Sequence, residues 1–372
     1  MRILIDIGHP AHVHLFRNLG LELIRDGSEV LFTCREKEFE TELLEHYGLP
    51  YKSLGKKYSG TAGKIFGIAR FGIREYLEGI RFKPDLLLSH GSYIAAHAAA
   101  MLGRPHIALE DTFNFEQIWL YKPFTKAIIT GDFNHPLKSQ KVIRYSGYHE
   151  LAYLHPCRFV PDESVLGELG IGVDEKYVVL RFVSWKASHD LGHRGISLRN
   201  KVAAVKRFSE FVKVFISSEG ALPPELERFR LKTAPYRIHD VLAFATLLWT
   251  DSFTMPSECS VLGTPSLVIH NSRSFPLDEQ RDKYGLCFTF SESDEDQLRA
   301  IEKGESLLKT EGLKEEWIAR RNRMIAEKID LTGFLHWFVN NWPDSFTIMK
   351  KNPDYQKLFI KGCHRNRNNP GC

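Results

Sequence analysis

The chain has 372 residues, 43% of them hydrophobic, so it is longer than one ordinary domain and has enough apolar residues for two buried cores. A formal net charge of +4 is slight for this length and argues against a nucleic-acid-binding protein. The six scattered cysteines contain no CxxC pair, which excludes a zinc ribbon or a dense disulfide framework and favours the cytoplasm.

The first half of the chain alternates between apolar strands and helices. Residues 2–7 form a short apolar run that includes Asp6, which predicts a first strand and not a signal peptide. Apolar periodicity predicts a helix over residues 13–26, closed by Gly27. Further strands are predicted at 29–33, 51–54, 85–89, 105–109, 127–130 and 142–145, and further helices at 37–47, 60–82 and 94–102. This alternation is typical of a parallel, doubly wound sheet.

After a linker at 156–162 the alternation restarts. Strands are predicted at 177–182, 214–217 and 247–249, a long polar loop at 183–195, and closing helices at 294–307, 315–331 and 333–346. No apolar run approaches the ~20 residues that cross a bilayer. We therefore predict an α/β protein with a Rossmann-like domain over 1–155, a second over 156–346 that includes the closing helices, and a polar tail over 347–372. Two such halves are expected to face each other across a ligand-binding cleft.

The segment 250–268 is the most informative stretch of the second half. It contains a strand end, a polar turn, a short helix and a new strand, which together form a βαβ unit. Ligands of parallel α/β sheets bind at such carboxyl ends, and the N–H groups of a helix that begins there favour phosphate. Asp251, Ser252, Phe253 and Thr254 are the candidate phosphate-binding residues, and Glu258 is the candidate for sugar hydroxyls. The alternative is ordinary N-capping by Asp251 or Ser252, with Glu258 solvated.

Polar residues also follow the predicted strands of the first half. His9 follows the first strand and could act as a base, because the pKa of histidine lies near neutrality. Glu110 and Asp111 follow the strand 105–109, where one could be a general base and the other a helix cap. Gly91 could allow backbone to approach a ligand, and Ser92 either contacts that ligand or caps the next helix.

Two further stretches carry positive charge. In the loop 183–195, Lys186 and Arg194 could neutralise a diphosphate, or could belong to a solvated basic loop. The helix over 60–83 has basic residues beside an apolar face, which allows peripheral contact with a membrane. The alternative for this helix, packing on its own sheet with a solvated basic face, is favoured.

Several of these segments resemble known families. DSFTMPSECSVLGTPSLVI, residues 251–269, resembles the donor-binding segment of GT-B glycosyltransferases and of the non-hydrolysing UDP-N-acetylglucosamine 2-epimerases, with Phe253 and Thr254 in place of a glycine pair. The segments IDIGHPAHVHLFRNLGLELIRDGSEVLFTCRE, KPDLLLSHGSYIAAHAAAMLGRP and SGYHELAYL resemble DUF354, a GT-B-like family. The resemblance implies a GT-B-like fold, with the acceptor on the first domain and a nucleotide-diphosphate sugar on the second.

Departures from the epimerase pattern bear on the reaction. Ser92 stands where the epimerases carry an acid, although Glu110 falls where they carry another. We therefore expect glycosyl transfer to an acceptor, which a lipid could carry, in glycan or glycolipid biosynthesis. The alternatives are a nucleotide-sugar epimerase or hydrolase, and a non-catalytic nucleotide-sugar-binding protein. No metal and no cofactor beyond the sugar nucleotide is expected.

Overall fold

The computed structural model describes residues 1–56, 58, 60–172, 174–183, 195–218 and 220–360, except for the side chains of 61, 62 and 64–66. The chain forms two compact units. Unit 1 comprises Met1–Arg158 together with the C-terminal segment from Lys328, and unit 2 comprises Phe159–Glu327. The chain thus leaves unit 1 once and returns to it.

Unit 1 contains a seven-stranded parallel sheet with the strand order β3-β2-β1-β4-β5-β6-β7. Its strands are β1 Arg2–Ile7, β2 Glu29–Glu36, β3 Tyr51–Lys56, β4 Leu86–His90, β5 His106–Leu109, β6 Ala127–Gly131 and β7 Val142–Tyr145. Its first helices are α1 Pro10–Arg25, α2 Glu40–His46, α3 Thr61–Phe82, α4 Tyr93–Met101, α5 Phe115–Tyr121 and α6 Leu151–Leu154, with a 3₁₀ helix at Lys122–Phe124.

Unit 2 contains a five-stranded parallel sheet with the order β12-β11-β10-β8-β9. Its strands are β8 Tyr177–Phe182, β9 Lys213–Ser218, β10 Leu247–Thr250, β11 Ser266–Ile269 and β12 Cys287–Phe290. Its helices are α7 Ser164–Glu168, α8 Leu198–Phe208, α9 Pro224–Glu227, α10 Ile238–Phe244, α11 Thr254–Leu262, α12 Phe275–Asp282, α13 Asp294–Leu308 and α14 Leu313–Glu327, with a 3₁₀ helix at Pro235–Arg237.

The central strands are buried on both faces, as expected of parallel sheets covered by helices. Ile3, Leu4 and Ile5 of β1 are inaccessible to solvent, as are Leu247 and Leu248 of β10. This is why these strands are continuous apolar runs in the sequence and not alternating patterns. The predicted α/β architecture with two Rossmann-like sheets is therefore confirmed.

The C-terminal segment differs from the prediction. The sequence placed residues 333–346 in one helix of the second domain. The structure instead has α15 Leu331–Asn340 and α16 Asp344–Lys351, both in unit 1. Pro343 precedes α16 and has no N–H group to continue α15. α15 packs on α1 and α6, which explains why its apolar face belongs to unit 1.

The residues directly after Lys351 are also ordered. The prediction was a polar, irregular tail from 347, but a 3₁₀ helix spans Pro353–Phe359 and the Phe359 side chain is buried. The side-chain oxygen of Gln356 accepts a hydrogen bond from the backbone N–H of Ser146 at 2.6 Å, next to the end of β7. Residues 361–372 lie outside the described part of the chain.

Candidate active site

Three polar side chains meet at the carboxyl edge of the sheet of unit 1. His90 is the last residue of β4, Asp111 follows β5 by two residues, and His149 follows β7 by four. Parallel strands all end at the same edge of a sheet, so residues that are distant in sequence become neighbours here. We call these three residues the His–Asp–His cluster.

Asp111 is the centre of this cluster. Its Oδ1 lies 2.8 Å from Nε2 of His90, and its Oδ2 lies 3.0 Å from Nδ1 of His149. Both carboxylate oxygens are therefore bonded to imidazoles. Two imidazoles on one carboxylate form an arrangement that can store and move a proton.

The pKa values of Asp111 and His90 are displaced in opposite directions. Burial alone would raise the pKa of Asp111, but the charges and hydrogen bonds of His149 and His90 hold it well below its usual value. Burial alone would lower the pKa of His90, but the Asp111 carboxylate outweighs burial and raises it. Asp111 is thus an anion and His90 favours its protonated form, so these two residues form an ion pair.

His149 and Tyr145 carry buried polar atoms on the inner side of this cluster. Neither Nε2 of His149 nor the hydroxyl of Tyr145 has a hydrogen-bond partner within the described ranges. The two rings stack with centroids 6.3 Å apart. A buried polar atom without a partner is costly, so a ligand or water hydroxyl that reached these atoms would be stabilised there.

His9 lies at the edge of this group, as a helix cap. Its Nδ1 accepts a hydrogen bond from the N–H of Ala11 at 3.2 Å, at the start of α1. His12 lies between His9 and the cluster, with its ring 4.4 Å from the ring of His90. Burial, and then the charge of His90, keep the pKa of His12 well below its usual value, so His12 is neutral. The predicted role of His9 as the base stays a prediction.

Glu110 has a different environment from Asp111. It is 2% exposed, and its Oε1 accepts hydrogen bonds from the N–H and the hydroxyl of Thr112 and from the N–H of Phe113. Its Oε2 accepts from the hydroxyl of Tyr121 at 2.6 Å. Phe113 has a positive φ of 55°, which this loop must hold in place. Both carboxylate oxygens of Glu110 are therefore bonded within the β5–α5 loop and to α5, whereas those of Asp111 are bonded to His90 and His149.

Gly91 and Ser92 support this loop. Gly91 has a φ of 53°, and a Cβ there would lie 3.0 Å from Oε2 of Glu110, so the absence of a side chain lets the carboxylate approach. Ser92 is the N-cap of α4, where its hydroxyl accepts from the N–H of Ala95 at 3.3 Å. Both residues thus have structural roles beside the cluster, and their predicted contact with a sugar nucleotide stays a prediction.

In unit 2, Asp251 bonds to the backbone before and after the segment 184–194 and does not cap α11. Its Oδ1 accepts a hydrogen bond from the N–H of Val183 at 2.9 Å, and its Oδ2 from the N–H of Ile196 at 3.5 Å. Val183 and Ile196 flank the segment 184–194, which contains the predicted residues Lys186 and Arg194. Both of these lie outside the described part of the chain.

The helix α11 begins at a turn whose backbone is unstrained. Phe253 is its N-cap residue with a φ of −99°, so the missing glycine pair requires no positive φ here. No side chain caps this end, and the N–H of Ser252 donates to the hydroxyl of Thr250 at 2.9 Å. The first turn, beginning at Thr254, therefore keeps the N–H groups and partial positive charge that favour an anion.

Glu258 is buried within unit 2. Its Oε1 lies 3.0 Å from Nε2 of His239, which ties α11 to α10. The solvated alternative for Glu258 is thus wrong, and its predicted contact with ribose hydroxyls stays a prediction.

A cavity of about 350 Å³ lies at the carboxyl ends of β11 and β12. Its lining includes Phe253, His270, Arg273, Asp278, Arg281 and Ser291. The ring of Phe253 lies 4.1 Å from that of His270. The cavity adjoins the N-terminus of α11, so an aromatic pair, cations and a helix N-terminus occur together at this edge of the sheet.

The His–Asp–His cluster also contains the residues that could hold a metal ion. The ligand atoms of His90, Asp111 and His149 all lie within 4.8 Å of one another. Two imidazoles and one carboxylate are a donor set that zinc or iron accepts. The sequence pointed to Asp111 and to the turn after His90 but missed His149. The one feature of the sequence that could have indicated His149 was its position in the SGYHELAYL segment.

The two parallel sheets and the helices around them identify the fold class of the protein. The fold is the GT-B fold, shared with glycosyltransferases and with UDP-GlcNAc 2-epimerases. The S. aureus MnaA structure with UDP is 12% identical with a TM-score of 0.64, over 91% of this chain and 97% of its own. The glycosyltransferase VinC in complex with dTDP is 13% identical with a TM-score of 0.59, over 91% and 99%. The Neisseria meningitidis UDP-GlcNAc 2-epimerase bound to UDP-GlcNAc is 15% identical with a TM-score of 0.54, over 87% and 100%.

The family is shown by the sequence. Residues 1–295 match the family described as "Protein of unknown function (DUF354)", and the chain belongs to it. No curated protein matches the chain.

Proposed function

We propose that this protein is a glycosyltransferase that takes its sugar from a nucleoside diphosphate. Unit 2 binds the nucleotide at the N-terminus of α11, and the His–Asp–His cluster of unit 1 supplies the acid–base groups. The observation that carries the proposal is the cluster itself, because a carboxylate holding two imidazoles at the ligand edge of a GT-B sheet is suited to activating a hydroxyl. The acceptor is a hydroxyl compound of glycan or glycolipid assembly, in the cytoplasm.

His149 is the proposed base. Asp111 holds its Nδ1, which leaves the lone pair of Nε2 to accept the acceptor's proton; Nε2 is buried, so the bound acceptor must displace neighbouring side chains to reach it. As the acceptor oxygen bonds to the anomeric carbon, the bond from that carbon to the diphosphate oxygen breaks, and the nucleoside diphosphate leaves with the electron pair. His90, whose pKa is raised beside Asp111, offsets the carboxylate charge in its protonated form.

The donor side rests on α11 and the cavity beside it. The helix N-terminus and Ser252 suit the diphosphate. Glu258, in the second turn of the same helix, would contact the ribose hydroxyls. The cavity next to Phe253 and His270 has the size and polarity for the base or the sugar. The reaction requires no cofactor, because helix dipole and cations balance the charge of the leaving group.

Glu110 argues against 2-epimerisation. That reaction requires acid–base groups on both faces of the sugar, and the hydrogen bonds of Glu110 are already used within its own loop. Ser92 caps a helix and cannot replace the second acid. Epimerisation is therefore the competing outcome in the experiment below.

The experiment begins with a thermal-shift screen of UDP, dTDP, GDP and their sugars. A nucleotide that binds only the folded state raises Tm by mass action. The sugar nucleotide with the largest shift is then incubated with acceptors, and release of the nucleoside diphosphate is measured. We expect Asp111→Asn and His149→Gln to reduce kcat by roughly 10²–10⁴-fold and to leave the nucleotide shift unchanged.

The matched controls are Asp26→Asn and His336→Gln, which remove an exposed Asp–His pair of the same chemistry. These should retain wild-type activity. Treatment with a chelator should also leave activity intact. If a chelator abolished activity and zinc restored it, the His–Asp–His cluster would be a metal site instead. Epimer or free sugar formed without an acceptor, or no shift with any nucleotide, would contradict the proposal.

A further inference from the structure

One face of unit 1 carries about half of the exposed large hydrophobic side chains of the described chain. Among the described residues, nine of the seventeen exposed large hydrophobic side chains lie between positions 68 and 124. They are Ile68, Ile73, Leu77, Ile80, Met101, Phe115, Trp119, Leu120 and Phe124. We call them the apolar face. By contrast, α13 and α14 of unit 2 expose only Leu298 of this kind.

These residues belong to neighbouring helices. α3 packs on α4, and α4 packs on α5 and on the 3₁₀ helix at Lys122–Phe124. The inner side of α3 is buried through Phe71 and Glu75, while Ile73, Leu77 and Ile80 form a stripe on its outer side at helical spacing. The helix is therefore packed on its own unit, as the sequence favoured, and still presents an apolar stripe to solvent.

Trp119 of α5 is the most exposed residue of the apolar face. The side chain of Trp119 is 72% exposed and that of Met101 is 58% exposed. His97 of α4 bonds to the carbonyl oxygen of Leu120 at 3.0 Å, and its ring contacts the edge of Phe124 at 4.6 Å between centroids. These contacts hold Leu120 and Phe124 in fixed positions, so their exposure results from the fold and not from a loose segment.

Basic side chains border the apolar face. Lys122, Lys126 and Lys141 lie close together beside Phe124: Nζ of Lys141 donates to the carbonyl oxygens of Lys122 and Pro123 at 2.8 and 3.1 Å. Burial, and then the charges of Lys126 and Lys122, lower the pKa of Lys141. Arg70 and Arg81 of α3 are also exposed, and Arg81 forms an ion pair with Glu78. Concentrated positive charge of this kind is costly unless an anionic surface lies opposite it.

We propose that the apolar face and its lysines dock unit 1 onto the surface of an anionic lipid bilayer. An exposed tryptophan next to apolar side chains and cations is the composition of proteins that lie in the headgroup region. In the described part of the chain, no helix has the length and apolarity needed to cross a bilayer, so the contact is peripheral. The inference does not rest on the proposed reaction, although docking would bring unit 1 to acceptors carried by lipids.

The test is sedimentation of the full-length protein with vesicles of phosphatidylcholine alone or with 30% phosphatidylglycerol. Wild type is expected to bind the anionic vesicles and to dissociate as salt rises, because exposed charges are screened. Trp119→Ser should weaken binding about tenfold or more, and Lys126→Ala about fivefold, in line with the contribution of one buried aromatic and one juxtamembrane cation. Leu298→Ser, on unit 2, is the matched control and should bind as wild type.

Because Trp119 and Lys126 are exposed, both variants should keep the wild-type Tm and the same thermal shift with nucleotides, which separates this test from that of the proposed function. Two results would overturn the inference. One is failure of wild type to bind anionic vesicles. The other is a wild-type dimer that Trp119→Ser converts to a monomer, which would assign the apolar face to a second copy of the chain.

Discussion

Two histidines of unit 1, His90 and His106, differ in whether a carboxylate lies beside them. His90 has Asp111 as a partner and its pKa is raised. Within the described ranges, the hydrogen-bond partners of His106, in β5, are the hydroxyls of Ser89 and Thr125, at 2.9 and 2.8 Å, and burial lowers its pKa to about 3. His90 therefore suits proton chemistry, whereas His106 is a neutral core residue at any physiological pH.

His106 leads to a prediction about acid stability. An unfolded histidine titrates near pH 6.5, so the unfolded state binds a proton that the folded state refuses. The stability that the neutral side chain contributes is fully present above about pH 6.5 and is lost progressively as pH falls towards 3. His106→Gln removes this titration and keeps a donor for Ser89.

Between pH 6.5 and 4.5, wild type should lose about 2 kcal/mol more unfolding free energy than His106→Gln. Chemical denaturation of both proteins across this range measures the difference. Parallel stability curves would mean that His106 is protonated in the folded protein. The surface variant His46→Gln should behave as wild type, because His46 is exposed in the last turn of α2.

At the scale of elements, apolar patterning located most strands within two residues, because buried parallel strands are apolar runs between turns. It missed elements that lack such a pattern. β12, Cys287–Phe290, has four residues at a sheet edge with Thr289 exposed, and α12, Phe275–Asp282, has a proline as its second residue and is half charged. α5 was also missed, although it carries Trp119 and positions Tyr121 against Glu110.

The candidate site was less predictable than the fold. Chain order showed that polar residues follow strands, which identified Asp111 and the turn after His90. It could not show that Asp111 binds two histidines while Glu110 turns into its loop, because adjacent carboxylates look alike in sequence. Burial of Glu258 against His239 depends in the same way on contacts between helices that no local pattern records.

The 3₁₀ helix at Pro353–Phe359 gives a prediction at the element scale. Phe359 is 5% exposed and its ring contacts those of Phe334 and Trp337 at 5.7 and 5.8 Å between centroids. Phe359→Ala leaves a cavity among these rings and should lower the unfolding free energy by about 3–5 kcal/mol. The neighbouring Leu358 is 56% exposed, so Leu358→Ala should change it by only about 0.5 kcal/mol. Equal effects of the two substitutions, measured by denaturation, would show this segment to be a surface tail.

At the scale of the whole molecule, the chain leaves unit 1 and later returns to it, so the two ends of this excursion must be held together within unit 1. The exit lies at Arg158 and the return at Lys328. Nε of Arg158 donates to Oδ1 of Asp330 at 3.0 Å, and the same guanidinium also bonds to Oδ2 of Asp330 and to Glu22 of α1. A bidentate ion pair thus fastens the two crossing points to each other within unit 1. The sequence could not show this, because the partners are 172 positions apart.

This arrangement predicts that Asp330 stabilises unit 1 far more than an exposed carboxylate does. Asp330 is 2% exposed in its side chain and Arg158 is 13% exposed, so Asp330→Ala leaves a largely buried cation whose remaining ion-pair partner, among the described residues, is Glu22. The expected loss is about 3–5 kcal/mol of unfolding free energy, because an uncompensated buried charge is costly. Asp354→Ala, which removes an exposed pair with Lys357, should cost about 0–1 kcal/mol. Differential scanning calorimetry of the full chain distinguishes the two. If Asp330→Ala were as mild as Asp354→Ala, the return of the chain to unit 1 would depend on the apolar packing of α15 alone.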